Sequence, residues 1–213
     1  MEKYRGGNIM REILCFGDSN TYGLIPFGGR LDEHTRWTRV LSSLLGKDYW
    51  IHEEGLNGRT TGLDDPVWPG RNALDYLDLC LETHEPLDLT ILMLGTNDLK
   101  ICFSPSPEAI ASRLRILAEK IQQASHALLI VSPVPLCEKM STGPCAADFP
   151  PESVAVSHQL SSALRETADA CGAWFLDAGD YAEVSDIDSV HITPDGHRSL
   201  AHAVYEKLRS MNF

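Results

Sequence analysis

Apolar and polar positions along this chain follow two rhythms. Short apolar runs occur at 13–16, 49–53, 87–94, 127–131 and 173–176, each closed by polar, glycine or proline residues. Runs of that length between turn signals read as buried strands. The strongest is 87–94, Leu-Asp-Leu-Thr-Ile-Leu-Met-Leu, which is apolar on both faces. Between these runs lie stretches with apolar residues at helical spacing. They are 37–46, closed by Gly46; 73–84, with Leu74, Leu77 and Leu81 repeating; 107–124, opened by Pro107; 152–171, ended by Gly172; and 194 to about 211, opened by Pro194. Proline in a first turn and glycine just past a last one are the expected helix punctuation. Residues 137–151 hold Gly143 and three prolines and show no period, so they read as a long loop. Residues 177–193 read as a polar one.

Strands alternating with helices predict a three-layer α/β domain around a five-stranded parallel sheet. Right-handed crossovers leave few strand orders, of which the flavodoxin-like 2-1-3-4-5 is the simplest. Open sheets of this kind bind ligands outside the carboxyl ends of the strands, at the switch point between the first and third. The turns carrying Ser19 and Asn97 are therefore expected side by side. No repeat or linker interrupts the pattern, so 1–213 reads as a single domain with 1–10 as a flexible N-terminus.

Composition changes this picture mainly by exclusion. The chain has 213 residues, 18 basic against 30 acidic, for a formal net charge of -12. That balance argues against nucleic acid or an anionic membrane as partner, since both require basic patches. No apolar stretch approaches a membrane span. Residues 1–10 lack an apolar core segment, so no secretory signal peptide is expected. The cysteines at 15, 80, 102, 137, 145 and 171 show no Cys-x-x-Cys pair and no zinc-type spacing with histidine. They read as reduced thiols of a cytoplasmic protein, and no metal or other cofactor is expected.

The chemistry is concentrated where the strands end. The first strand runs into Gly17-Asp18-Ser19, the second into Asn57-Gly58, and the third into Gly95-Thr96-Asn97-Asp98. The loop before the last helix carries Asp188-Ser189-Val190-His191. Acyl transfer needs a nucleophile, a base, a group that orients the base, and donors for the developing oxyanion. Asp188 and His191 stand three apart, so one turn of chain can bring the carboxylate to Nδ1 and leave Nε2 for Ser19. Each element also has a plain reading, because Ser, Asp, Asn and Gly populate turns for reasons of their own. His197 is a competing base but is expected on the last helix, facing away. Lys100 is expected to be solvated. Tyr22 and Trp68 follow catalytic blocks and are candidates to wall the substrate site. The remaining histidines form no ligand set.

Taken in order, Gly17-Asp18-Ser19, Gly58, Gly95-Thr96-Asn97-Asp98 and Asp188-x-x-His191 resemble the four blocks of the SGNH (GDSL-type) serine hydrolase superfamily. The likeness runs from residue 12 to about residue 200. Longer stretches resemble its arylesterase/acyltransferase branch: 13–22, Glu53-Glu54-Gly55-Leu56, Arg59-Thr60-Thr61, Asp64-Asp65-Pro66 and 93–98. Carbohydrate acetyl esterases share much of the pattern. The resemblance implies Ser19 as nucleophile, His191 as base and Asp188 as its orienter. It implies the Ser19 and Gly58 backbone N–H groups and the Asn97 amide as oxyanion donors. Two positions depart from it. Asn20 replaces the leucine of the commonest motif, and Asn57-Gly58 replaces the Ser-Ala of a mycobacterial member.

The expectation is a serine esterase for short, acetyl-like esters, with acyl transfer to alcohols as a side activity and a small-molecule ester as its partner. The alternative is a non-catalytic α/β module that binds a small ligand or carbohydrate at the same switch point. A phosphate-handling enzyme is disfavoured by the lack of a Walker-type loop or a carboxylate cluster for Mg²⁺. Homo-oligomerisation is left open by the sequence.

Overall fold

The structure, a computed structural model, describes residues 10–213. The flexible N-terminus expected over 1–10 lies, apart from Met10, outside the described residues. Five strands form one parallel sheet: β1 (Arg11–Gly17), β2 (Tyr49–Gly55), β3 (Leu89–Met93), β4 (Leu128–Ser132) and β5 (Trp174–Asp177). Their order is β2-β1-β3-β4-β5, as the alternation predicts. Parallel strands buried on both faces need apolar side chains at odd and even positions alike, and the core divides on that parity. Leu14 and Phe16 of β1 join Leu92 and Ile130 on one face, under helices α3 (Ala73–His84), α4 (Pro107–Ala124) and α5 (Pro151–Cys171). Ile13 and Cys15 join Ile91, Leu129 and Leu176 on the other, under α2 (Trp37–Leu45) and α6 (Pro194–Ser210).

The register fixes where the functional turns emerge. Gly17 at the end of β1 pairs with Gly55 of β2 on one side and Met93 of β3 on the other. Three carboxyl ends thus finish level, and the segments carrying Ser19, Gly58 and Asn97 leave the sheet together.

The apolar pattern does not reveal one element. Ser19–Tyr22 forms a short helix, α1, directly after β1. A single turn is too short to leave a periodic signature, and its cause is local. Asp18 caps it by accepting the Asn20 N–H on Oδ1 at 2.9 Å, and Gly23 ends it at φ 81°. Its close seat on the sheet also depends on Gly55, where a Cβ would fall 2.2 Å from the Tyr22 backbone nitrogen. The loop 137–151 is not wholly irregular either, since Glu138–Thr142 forms a 3₁₀ turn. No helix of the described residues is long and apolar enough to cross a membrane.

Candidate active site

Ser19 sits at the first position of α1, almost buried. Its Oγ lies 3.0 Å from His191 Nε2. On the other side of the ring, His191 Nδ1 meets Asp188 Oδ2 at 2.6 Å. An ionised carboxylate only accepts, so Nδ1 carries the ring proton and Nε2 is left to accept from the serine hydroxyl. The second carboxylate oxygen is also engaged, taking the Val190 and His191 backbone N–H groups at 3.1 and 3.0 Å. Burial pushes the Asp188 pKa up, but the hydrogen bond from His191 and those two N–H groups outweigh it and hold the carboxyl below its usual range. Asp188 therefore stays an anion behind the imidazole.

Gly58 and Asn97 face the same space as Ser19 and His191. Gly58 takes a positive φ of 80°, and the Trp68 ring packs closely against it. The Asn97 amide donates from Nδ2 to the Arg59 carbonyl at 3.0 Å. That nitrogen carries two protons, so one remains for another acceptor. The two loops are pinned through Asp98, which is fully buried. Its Oδ2 accepts the Thr61 N–H at 2.9 Å, and Oδ1 meets the Thr61 hydroxyl and Arg113 Nη2.

The cavity holds about 310 Å³. The loop between β2 and α3 supplies Pro66, Val67 and Trp68, the 3₁₀ turn Ile101–Phe103 supplies Ile101 and Cys102, and the loop before α5 supplies Cys145 and Phe149. The polar Arg59, Thr60 and Thr61 are buried away from it, so the lining is more apolar than their loop's composition suggests.

Several residues differ from their sequence expectations. Lys100 is not solvated: its Nζ pairs with Asp65 at 2.7 Å beside the cavity and lies 5.4 Å from the Trp68 ring centre. Tyr22 is not among the lining residues; its ring stacks with Arg30, 4.4 Å from centroid to guanidinium carbon. Trp68, by contrast, does line the cavity. His197 is on α6 as expected but is completely buried, its Nδ1 accepting the Trp37 N–H at 3.3 Å. Burial, with the neighbouring His191 as a lesser cause, lowers its pKa to about 4.

Asp18 is buried beside Ser19 with Oδ2 lacking a hydrogen-bond partner, and burial lifts its pKa to about 6. Sequence spacing also missed one grouping. Glu54, Cys80 and His84 bring possible ligand atoms within 4.8 Å of one another, because Cys80 and His84 share one face of α3. His84 Nε2 already meets Glu54 Oε1 at 2.9 Å. Burial pushes the Cys80 thiol up to about 12, so it stays protonated in the metal-free protein.

Comparison with known proteins places the chain in a family. The family model described as GDSL-like lipase/acylhydrolase matches residues 15–199. A carbohydrate acetylesterase from Sinorhizobium meliloti superposes with a TM-score of 0.89 at 35% identity, covering 94% of this chain and 99% of that one. The M. smegmatis aryl esterase gives a TM-score of 0.87 at 35% identity over 94% and 99% of the two chains. A lipase/acylhydrolase from Enterococcus faecalis shares the fold, with a TM-score of 0.69 at 16% identity over 95% and 97%. None of the curated proteins matches the chain.

Proposed function

We propose, since the chain belongs to the GDSL-like lipase/acylhydrolase family, that it is a serine esterase cleaving short-chain carboxylic esters through an acyl-enzyme on Ser19. The observation that carries this reading is the unbroken chain Ser19 Oγ, His191, Asp188, with contacts of 3.0 and 2.6 Å, opening on one apolar cavity.

In the first half-reaction Ser19 Oγ attacks the ester carbonyl as His191 Nε2 takes its proton. The negative charge that develops on the carbonyl oxygen is met by the Ser19 and Gly58 N–H groups and the spare Asn97 amide proton. Such donors act in the transition state more than in the ground state. Asp188 stays ionised and stabilises the imidazolium without taking its proton. The tetrahedral intermediate collapses, the C–O bond breaks, and the alcohol leaves with the proton from His191. Water, activated by the same imidazole, then hydrolyses the acyl-serine. A second alcohol taking the place of water gives transesterification.

The small cavity, walled by Trp68, Ile101 and Phe149, favours a short acyl group and a compact apolar or aryl alcohol. The S. meliloti and M. smegmatis relatives, an acetylesterase and an aryl esterase by name, support the same class. The acidic charge and free thiols fit a cytoplasmic enzyme. The test is p-nitrophenyl acetate turnover by the parent and by Ser19→Ala and Asp188→Asn. Losses of about 10⁴-fold in kcat are expected for each. A Ser19→Ala protein of unchanged rate would refute the mechanism.

A further inference from the structure

Asn20 follows the nucleophile but does not line the cavity. It is almost fully buried, and its side chain reaches across to the segment that holds His191. Oδ1 accepts the Ile192 N–H at 2.9 Å, and Nδ2 donates to the Val190 carbonyl at 3.3 Å. The amide thus grips the backbone immediately before and immediately after His191, with one donor and one acceptor in the manner of a neighbouring strand. At the other end, Asn20 is fixed to the nucleophile's own turn, since its N–H donates to Asp18 Oδ1 at 2.9 Å.

The remaining backbone groups around His191 are held from elsewhere. The His191 N–H goes to Asp188, and its carbonyl accepts the Ser185 N–H at 2.7 Å. Ser189, two residues before, sits at a positive φ of 62°, a strained conformation for a residue with a side chain. A segment with such a residue has an incentive to relax. The contacts from Asp188 and Ser185 lie within its own loop and can travel with it. Among these, only Asn20 ties the segment to the element that carries Ser19.

We propose that Asn20 is a positioning residue for His191, setting the distance between the imidazole and Ser19 Oγ by gripping the backbone on both sides of the histidine. The inference rests on the esterase reading above, in which Ser19 and His191 exchange the proton. Proton transfer and attack are steep functions of geometry, and displacement of a reacting group by about 1 Å can cost on the order of 10²-fold. A buried amide making two bonds to backbone is also well placed to fold the loop, so the test must separate rate from stability.

Leucine has nearly the shape of asparagine and can make neither bond. In Asn20→Leu, kcat for p-nitrophenyl acetate should fall by about 10- to 100-fold while KM stays within about twofold. The far-downfield proton resonance of His191 Nδ1–H, expected in the parent from its 2.6 Å contact with Asp188, should persist, because Asp188 and His191 move together and only their distance to Ser19 changes. Circular dichroism and cooperative unfolding establish that the variant is folded. Asn20→Ala is read in the same way should leucine prevent folding. A folded variant with kcat within twofold of the parent, or one that has lost this resonance and with it the loop's own structure, overturns the proposal. So does a variant that unfolds earlier while its folded fraction turns over normally. Ser19→Ala, run alongside, keeps the two readings apart. If it is inactive and Asn20→Leu is normal, only the positioning role fails; if it is active, the esterase mechanism itself fails.

Discussion

Gly58 and Trp68 are packed so tightly that a Cβ on the glycine would lie 2.7 Å from Cε3 of the indole. The glycine also takes a φ of 80°, where a side chain costs roughly 1–2 kcal/mol. Gly58→Ala should therefore destabilise the fold by at least that amount and lower kcat, because the N–H proposed to face the oxyanion must shift. Adding Trp68→Ala removes the collision and leaves the backbone strain. The double variant should recover part of the lost stability, as measured by urea unfolding. No recovery would mean that strain alone makes the position glycine.

Asn97 is proposed as an oxyanion donor, and its role can be separated from that of a turn residue. Asn97→Ala should remain folded and lose roughly 10²–10³ in kcat with little change in KM. The bond to the Arg59 carbonyl disappears as well, so a modest loss of stability is expected. If the variant lost stability while its folded fraction kept a normal kcat, the amide would be a structural tie only.

Acyl length tests the cavity. At about 310 Å³ it is at the small end for ligand pockets, and it must hold the acyl group together with part of the alcohol. Each further CH₂ gains roughly 0.8 kcal/mol only if it leaves water. The value of kcat/KM on p-nitrophenyl esters should therefore fall from acetate to octanoate. A rise along the series would refute the short-acyl reading.

His197 should make stability depend on pH. The unfolded chain takes up a proton at this position near pH 6.5, whereas the buried ring resists until about pH 4. Its contribution is complete above pH 6.5 and is lost as the pH falls through that window, a change of roughly 3 kcal/mol. Asp18 works in the opposite sense. Its pKa is raised from 3.8 to about 6, so the folded state takes up that proton first and gains stability as the pH falls. The difference between parent and His197→Asn isolates the histidine, since the asparagine oxygen can still accept the Trp37 N–H. On going from pH 7 to 4.5, the urea midpoint of the variant should shift upward relative to that of the parent. Parallel profiles would remove His197 as the source.

Sequence alone determined the features that local physics controls. Two-faced apolar runs specify interior strands, because both faces of β1, β3 and β4 must be covered. Prolines and glycines at 107, 172 and 194 marked helix ends, because they restrict or release φ at single positions. Crossover handedness narrowed the strand orders to a few, of which the simplest is the one found, and the Asp188–His191 pair followed from a spacing that one turn of chain can close. What the tertiary structure decided was which distant groups meet. Asn20 looks like a turn residue until Val190 and Ile192 are brought against it. Lys100 looks solvated until Asp65 arrives from another loop. Arg59 and Thr61 are turned from solvent because the backbone of β1 and β2 and the Asp98 carboxylate meet them there. Periodicity records which face of an element is buried. It carries no information about which partner will be there, because that contact is made by chain far away in sequence.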